Sequence, residues 1–260
     1  MTPRSVSRIS VLRRQAGLTL VELMVAMAVG LLITVAAGSL YLVARQGFRT
    51  NDDQSRAFET GRFAVEFLGR NIRMAGAPSF QPNTPLQWFV PTTAAPVQGT
   101  EGGAAPDTLT IAYRTVGAYN AATLVGADCL GQNAGAEVVN TFSISAAGQL
   151  MCRGNGGVAA EPLATQVVDM QVTYGVAADR DAGQVVSVVN ASGVTDWRAV
   201  RQVEICIDVV SFEPNVINGA TPGLNCRGQA FPNDNRVHRL FRTVANVRNG
   251  TRGNIFTAIP

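Results

Sequence analysis

Residues 17–44 read GLTLVELMVAMAVGLLITVAAGSLYLVA, and after Gly17 the run of 27 residues holds a single charge, Glu22. At about 1.5 Å per residue it forms roughly 40 Å of helix, enough for a hydrocarbon core of roughly 30 Å. Four Arg (Arg4, Arg8, Arg13, Arg14) and no acid precede it, while Arg45 and Arg49 follow it. The denser positive charge upstream predicts a cytoplasmic N-terminus and an exported body. A carboxylate inside such a span costs about 2.5–3.5 kcal/mol on insertion scales, so Glu22 needs an offsetting partner.

Three readings compete for this segment. A secretory signal would be cut after the apolar run, near Val35-Ala36-Ala37. A plain anchor would not be cut at all. Neither accounts for Glu22. Cleavage between Gly17 and Leu18 does, because it creates an α-amine four residues before the acid, on one helical face, where the helix N-terminus also favours an anion. In a stack of such helices the amine of one subunit can meet the Glu of its neighbour. The stretch Gly17-Leu18-Thr19-Leu20-Val21-Glu22-Leu23 resembles the signal of type IV prepilins: a basic leader, Gly before the cut, and Glu fifth in the mature chain. That resemblance implies cutting by a prepilin peptidase and N-methylation of Leu18. The family most often has Phe or Met first, and many major pilins carry a Pro in the helix; this chain has Leu18 and no Pro there, leaving Gly30 and Gly38 as the loosening residues.

The helix is predicted to run on to Ala75. Phe58, Gly61, Val65, Leu68, Ile72 and Ala75 recur in steps of three and four, giving one packed stripe, and Arg62, Glu66 and Arg70 are spaced for i,i+4 pairs on the other face. Gly76 and Pro78 supply the stop. The alternative is two helices hinged around Thr50 to Gln54. The organisation expected is a leader, 1–17; a transmembrane and assembly half of the helix, 18–44; an amphipathic half, 45–76; and a globular head, 77–260.

Residues 77–107 hold six of the twelve Pro and three Gly, which excludes regular helix and predicts a traversing loop, pinned by Trp88. Strand-like runs follow at Thr108 to Arg114, Val138 to Ser145, Gln166 to Val176, Gln184 to Val189, Val200 to Val210 and Arg239 to Val247. In the clearest, Val203, Ile205 and Ile207 face one way and Gln202, Glu204, Cys206 and Asp208 the other. The expected class is α+β, pilin-like: a long N-terminal helix packed on a half-buried antiparallel sheet.

Four cysteines, widely spaced and without a C-x-x-C pair, fit disulfides in an oxidising compartment and admit three connectivities. The sequence-local pairs, Cys129 with Cys152 and Cys206 with Cys226, are favoured; cross-pairing between the two blocks stays open. Charge excludes one class of function. The formal +3 rests on 21 Arg and no Lys, and removing the leader's four leaves 17 against 18 acidic residues. A neutral body lacks the clustered cations that nonspecific phosphate binding needs, so no direct nucleic-acid partner is expected.

The stretch of residues 61–76, GRFAVEFLGRNIRMAG, resembles the end of the long helix in PilW-type minor pilins, and further resemblances follow in order: Asp128-Cys129-Leu130-Gly131, Leu150-Met151-Cys152-Arg153, residues 167–175 (VVDMQVTYG), Trp197-Arg198-Ala199-Val200, and Phe241-Arg242-Thr243-Val244 with Val247-Arg248-Asn249. The resemblance implies an inner-membrane protein with a periplasmic head that passes to the cell-surface pilus. It also implies an inner-membrane assembly platform, other minor pilins, the major pilin and a tip adhesin as neighbours, and a part in initiating or capping a type IV pilus. A minor pseudopilin of type II secretion, PulJ/GspJ-like, shares the leader and the α+β plan and is the alternative.

Nothing in the chain reads as catalytic. G-x-S-x-G, P-loop and G-x-G-x-x-G patterns are absent, and neither an enzyme nor a cofactor is expected. His238, between Arg236 and Arg239, reads as a surface imidazole. Asp179-Arg180-Asp181-Ala182-Gly183 begins like a calcium loop, but Asn190 stands at the twelfth position, and a polar hairpin turn is the better reading; no metal is expected.

Overall fold

The computed structural model describes Gly17 and residues 19–80, 89–90, 92–115 and 126–249, with the side chains of Phe80, Phe89 and Val90 left aside. Residues 1–16 of the leader, Leu18 and Trp88 lie outside these residues. The chain divides into two units, Met1–Thr50 and Asn51–Pro260. Helix α1 spans Leu20–Met74 and includes Thr50 to Gln54, so one helix forms where two separate ones were the alternative. It stops where expected: Gly76 takes φ +73°, a left-handed conformation costly for any residue with a Cβ, and its N–H leaves the helix to donate to Ala112 O at 2.8 Å.

Thirteen strands follow among the described residues. β1 (Ser79–Phe80) and β2 (Phe89–Val90) pair with each other. β3 (Val97–Thr100), β4 (Thr108–Arg114), β7 (Glu137–Ile144), β8 (Gln149–Gly154) and β9 (Glu161–Thr165) form a five-stranded antiparallel sheet in that order. β5 (Gly126–Ala127) and β6 (Asn133–Gly135) make a small hairpin. β10 (Val167–Ala177), β11 (Val185–Val189), β12 (Val200–Val210) and β13 (His238–Asn246) form a four-stranded antiparallel sheet ordered β11-β10-β12-β13. The single sheet expected from sequence is thus two larger sheets and two small two-stranded ones, and the Pro-rich traverse contains β1, β2 and β3.

Within the second unit, the C-terminal part of α1 and the inner faces of both sheets share one core. Leu68 and Ile72 from the helix meet Leu109, Ile111, Val138 and Phe142 from the five-stranded sheet and Met170, Tyr174, Ile205 and Ile207 from the four-stranded sheet. Phe67 sits edge-on to Phe142 at 6.1 Å, and Phe58 edge-on to Phe241 at 5.6 Å.

The buried stripe of the helix differs from the predicted one. It runs Asp53, Ala57, Gly61, Ala64, Leu68, Ile72, while Phe58 is 55% exposed. At Gly61 size decides: a Cβ there would stand 2.1 Å from the Phe241 ring, so helix and sheet approach too closely for any side chain at that position. Two buried polar groups on that face are used. Asp53 Oδ1 accepts from the N–H groups of Phe212 (2.6 Å) and Glu213 (3.1 Å), and Asn71 Oδ1 accepts from Asn140 Nδ2 at 3.0 Å. The ion pair on the exposed face, among the described residues, is Arg56–Asp52 rather than the expected pairs through Glu66.

The sulfurs of Cys129 and Cys152, and of Cys206 and Cys226, stand at bonding distance, with Cα–Cα separations of 6.5 and 5.6 Å. These are the sequence-local pairs. The second pair ties the 211–237 loop to β12. Closing a loop of this length stabilises by about 3 kcal/mol in the chain-entropy account. Replacing Cys206 and Cys226 together by Ser is therefore expected to lower the thermal midpoint of the head by several degrees, read by calorimetry with and without reductant; an unchanged midpoint would show the pair to be open in solution.

Candidate functional site

The chemistry that the sequence marks lies at the start of α1. Gly17 is exposed, and among the described residues nothing comes within 4 Å of where its Cβ would stand. Leu18, the expected new terminus and methylation site, lies outside the described residues. Thr19 caps the helix: its carbonyl accepts from Leu23 N–H at 3.2 Å, and its Oγ1 accepts from Glu22 N–H at 3.3 Å. Glu22 reaches back, with Oε2 at 3.5 Å from both the N–H and the hydroxyl of Thr19. This is a capping box, the reciprocal arrangement that T-x-x-E specifies, and it satisfies two of the helix's unpaired N–H groups.

The sequence reading missed this cap, although Thr19-Leu20-Val21-Glu22 spells it. Glu22 therefore has a partner before any cleavage, at long hydrogen-bond distance, and a second donor at the chain end would add to the cap rather than supply the carboxylate's sole offset.

Beyond Glu22, residues 23–49 are exposed throughout. Leu31, Leu32, Leu40 and Phe48 are each more than 60% exposed. At about 1.5–3 kcal/mol per large apolar side chain, such a surface is not stable in water and needs lipid or other helices around it. By length and composition this helix can cross a bilayer.

The loops of the head are ordered by carboxylates that accept backbone N–H groups. Among the described residues, no group of three or more His, Cys, Asp or Glu is placed to hold a metal. The Asp179 to Gly183 segment is the β10–β11 hairpin turn: Asp179 Oδ1 accepts from the N–H groups of Asp181 (2.8 Å) and Ala182 (2.6 Å), closing its own turn. Asp128 works similarly beside the first cysteine pair. Its Oδ1 accepts from Leu130 and Gln132 N–H, and its Oδ2 accepts from Gly156 N–H at 3.1 Å, joining two turns. Glu137 accepts from Thr93 and Ala94 N–H and from Arg114; burial opposes its charge, but these donors outweigh it and hold its carboxyl below the usual range.

His238 corrects the sequence reading. It is buried between Asp208 and Asp234, because the 211–237 loop folds over the outer face of the four-stranded sheet. Alternation along β13 could not reveal a covering segment that lies upstream in the chain.

Two stretches of the chain match family models. Residues 12–38 match the family model of the prokaryotic N-terminal methylation motif, and residues 135–249 match that of the type IV pilus-assembly protein W. Among solved structures, a type IV-like pilin from Thermus thermophilus is 14% identical, with 78% of this chain and 97% of that one covered and a TM-score of 0.40. No curated protein matches the chain.

Proposed function

We propose that this chain, a type IV pilin of the PilW family, is a minor pilin: a prepilin peptidase removes residues 1–17, Leu18 is methylated, and the mature chain joins other minor pilins in the inner membrane to initiate or cap a pilus. The observation that carries this reading is an uncovered apolar stretch of helix, up to residue 44, whose one acid sits in the first turn, directly after a basic leader and a Gly. A soluble enzyme has no use for such a surface. An assembly subunit does, since the same face that contacts lipid before assembly contacts neighbouring helices after it, with little change in its apolar surroundings.

In this role the head acts through shape. Its helix-borne core and its loops, held by Asp53, Asp128 and Glu137, present a rigid surface to neighbouring subunits, including the major pilin, the assembly platform and a tip adhesin. Glu22 sets register: an α-amine from an adjacent subunit, buried with it in apolar surroundings, makes a pair that a shift of one helical turn would break.

The test is the mass of the mature chain and its location. The expected chain begins at Leu18, carries one methyl group, and is recovered in sheared filaments at far lower abundance than the major subunit. A chain beginning at Met1 or near Gly38 in cells with an active prepilin peptidase would overturn the processing. A correctly processed chain that co-purifies with secretion-channel components and not with pili would overturn the pilus role.

A further inference from the structure

β13 opens on His238, the single histidine of the chain, with only 2% of its side chain exposed. Nδ1 stands 2.8 Å from Asp208 Oδ2 on β12, and Nε2 stands 3.1 Å from Asp234 Oδ2 in the 211–237 loop. The Phe231 ring packs over the imidazole at 4.9 Å. A neutral imidazole has one N–H and would turn a lone pair toward one of these carboxylates; only the imidazolium donates to both.

The surrounding charges need that cation. Asp208 lies opposite Asp169 across the β10–β12 ladder, an arrangement in which like charges repel. Arg227 Nη2, at 2.8 Å from Asp169 Oδ1, offsets one carboxylate, and His238 is the cation beside the other. The remaining Arg of the neighbourhood are directed elsewhere: Arg236 to Gln166, Arg239 to Gln54, and Arg242 to Cys206 Sγ.

The loop is anchored unevenly. Its start is held by Asp53 at Phe212 and Glu213, its middle by Thr221 and by Cys226. After Arg227, Gln229 is bonded back to Asn225, and the loop's end is held by Val237 at Ser211 and by Arg236 at Gln166; the Asp234–His238 bond and the Phe231 packing are the part of this attachment that depends on the imidazole's charge. We propose that His238 is a proton-operated latch: charged, it tightens residues 227–237 onto the outer face of the four-stranded sheet, and uncharged, it loosens them around Phe231 and Asp234, so the head changes this part of its surface with the pH of the compartment it faces.

The direction of the effect follows from linkage. Burial opposes the charge on His238, but hydrogen bonds and negative charge from Asp208 and Asp234 outweigh it and raise the imidazole above its ordinary range. A group so raised contributes stability that is complete below the unfolded value of about 6.5 and is lost as pH climbs through the folded value. Burial also holds Asp208 above the usual carboxylate range, which bounds the latch on the acid side.

The experiment uses the full chain in detergent, without a histidine tag and with ¹³C-labelled histidine, so that one imidazole signal reports His238. The expected midpoint lies above 6.5, the ordinary imidazole value. Hydrogen exchange in peptides covering residues 227–237, corrected for intrinsic rate, is expected to be about tenfold faster at pH 9 than at pH 6, the factor that loss of one charge-assisted hydrogen bond implies. His238→Gln should make that exchange independent of pH. Asp234→Asn, which removes a partly exposed carboxylate and leaves the buried pair, should lower the midpoint and speed exchange at pH 6 while leaving pH 9 unchanged. A midpoint at or below 6.5, or equal exchange at the two pH values in the unmodified chain, would overturn the latch.

Discussion

A chain carrying Glu22→Ala is expected at normal levels in the membrane fraction and absent from sheared filaments. Removing the carboxylate relieves about 2.5–3.5 kcal/mol of insertion cost, so membrane entry is unharmed or improved. On the proposed pairing assembly suffers, because a neighbour's buried amine would lose its partner, and leaving one member of a buried pair alone costs about 3–5 kcal/mol. At about 1.4 kcal/mol per factor of ten, incorporation falls at least a hundredfold. Glu22 also belongs to the cap with Thr19, and losing a cap costs about 1 kcal/mol, so Ala alone conflates two effects. Glu22→Gln separates them: Gln serves in a capping box but carries no charge. Immunodetection in membrane and pilus fractions reads both variants. If Gln restores incorporation to the wild-type level, capping suffices and the charge pairing is wrong.

The second large effect is expected in the head, at Gly99→Ala. Gly99 lies on β3 over Tyr174, the largest fully buried side chain, and a Cβ there would stand 1.9 Å from the Tyr174 hydroxyl and 2.8 Å from Thr108 O. Neither neighbour can yield. Thr108 O is sheet backbone, and Tyr174 is held edge-on by Trp197 at 4.9 Å. Overpacking of this kind costs about 1–3 kcal/mol, enough to lower the denaturation midpoint of a marginally stable head visibly. Tyr174→Phe should rescue most of it. Its hydroxyl is buried without a hydrogen-bond partner, so removing it is itself close to neutral, and the double variant should be more stable than Gly99→Ala alone. Rescue stays partial, since Tyr174 Cζ would remain 2.9 Å from the new methyl. Strict additivity of the two changes would show that the contact is not where the destabilisation arises.

Both predictions depend on features with different visibility. The apolar run with its single acid, the Gly before it and the basic leader are local and consecutive, so the long apolar helix could be read directly and the proposed assembly chemistry rests on the same residues. The stop at Gly76 was legible for the same reason, as was the span of β12, whose inward Val203, Ile205 and Ile207 alternate with polar neighbours. β3, β8 and β9 were not marked as strands. Gly99 interrupts the first, and Pro162 lies in the last, which is an edge strand where a missing N–H is tolerated.

Sequence by itself determined the periodicities: where the chain is helical, where it alternates, and which residues cannot rest in water. What tertiary structure decided is which polar groups went inside. Asp53, Asn71, Asp208 and His238 are buried because a distant segment covers each one and supplies its hydrogen bonds. The buried stripe of α1 was set likewise by the Phe241 ring, which admits Gly61 and leaves Phe58 outside. Burial of a polar side chain depends on a partner brought near by folding, and such a partner leaves no mark at the position it serves.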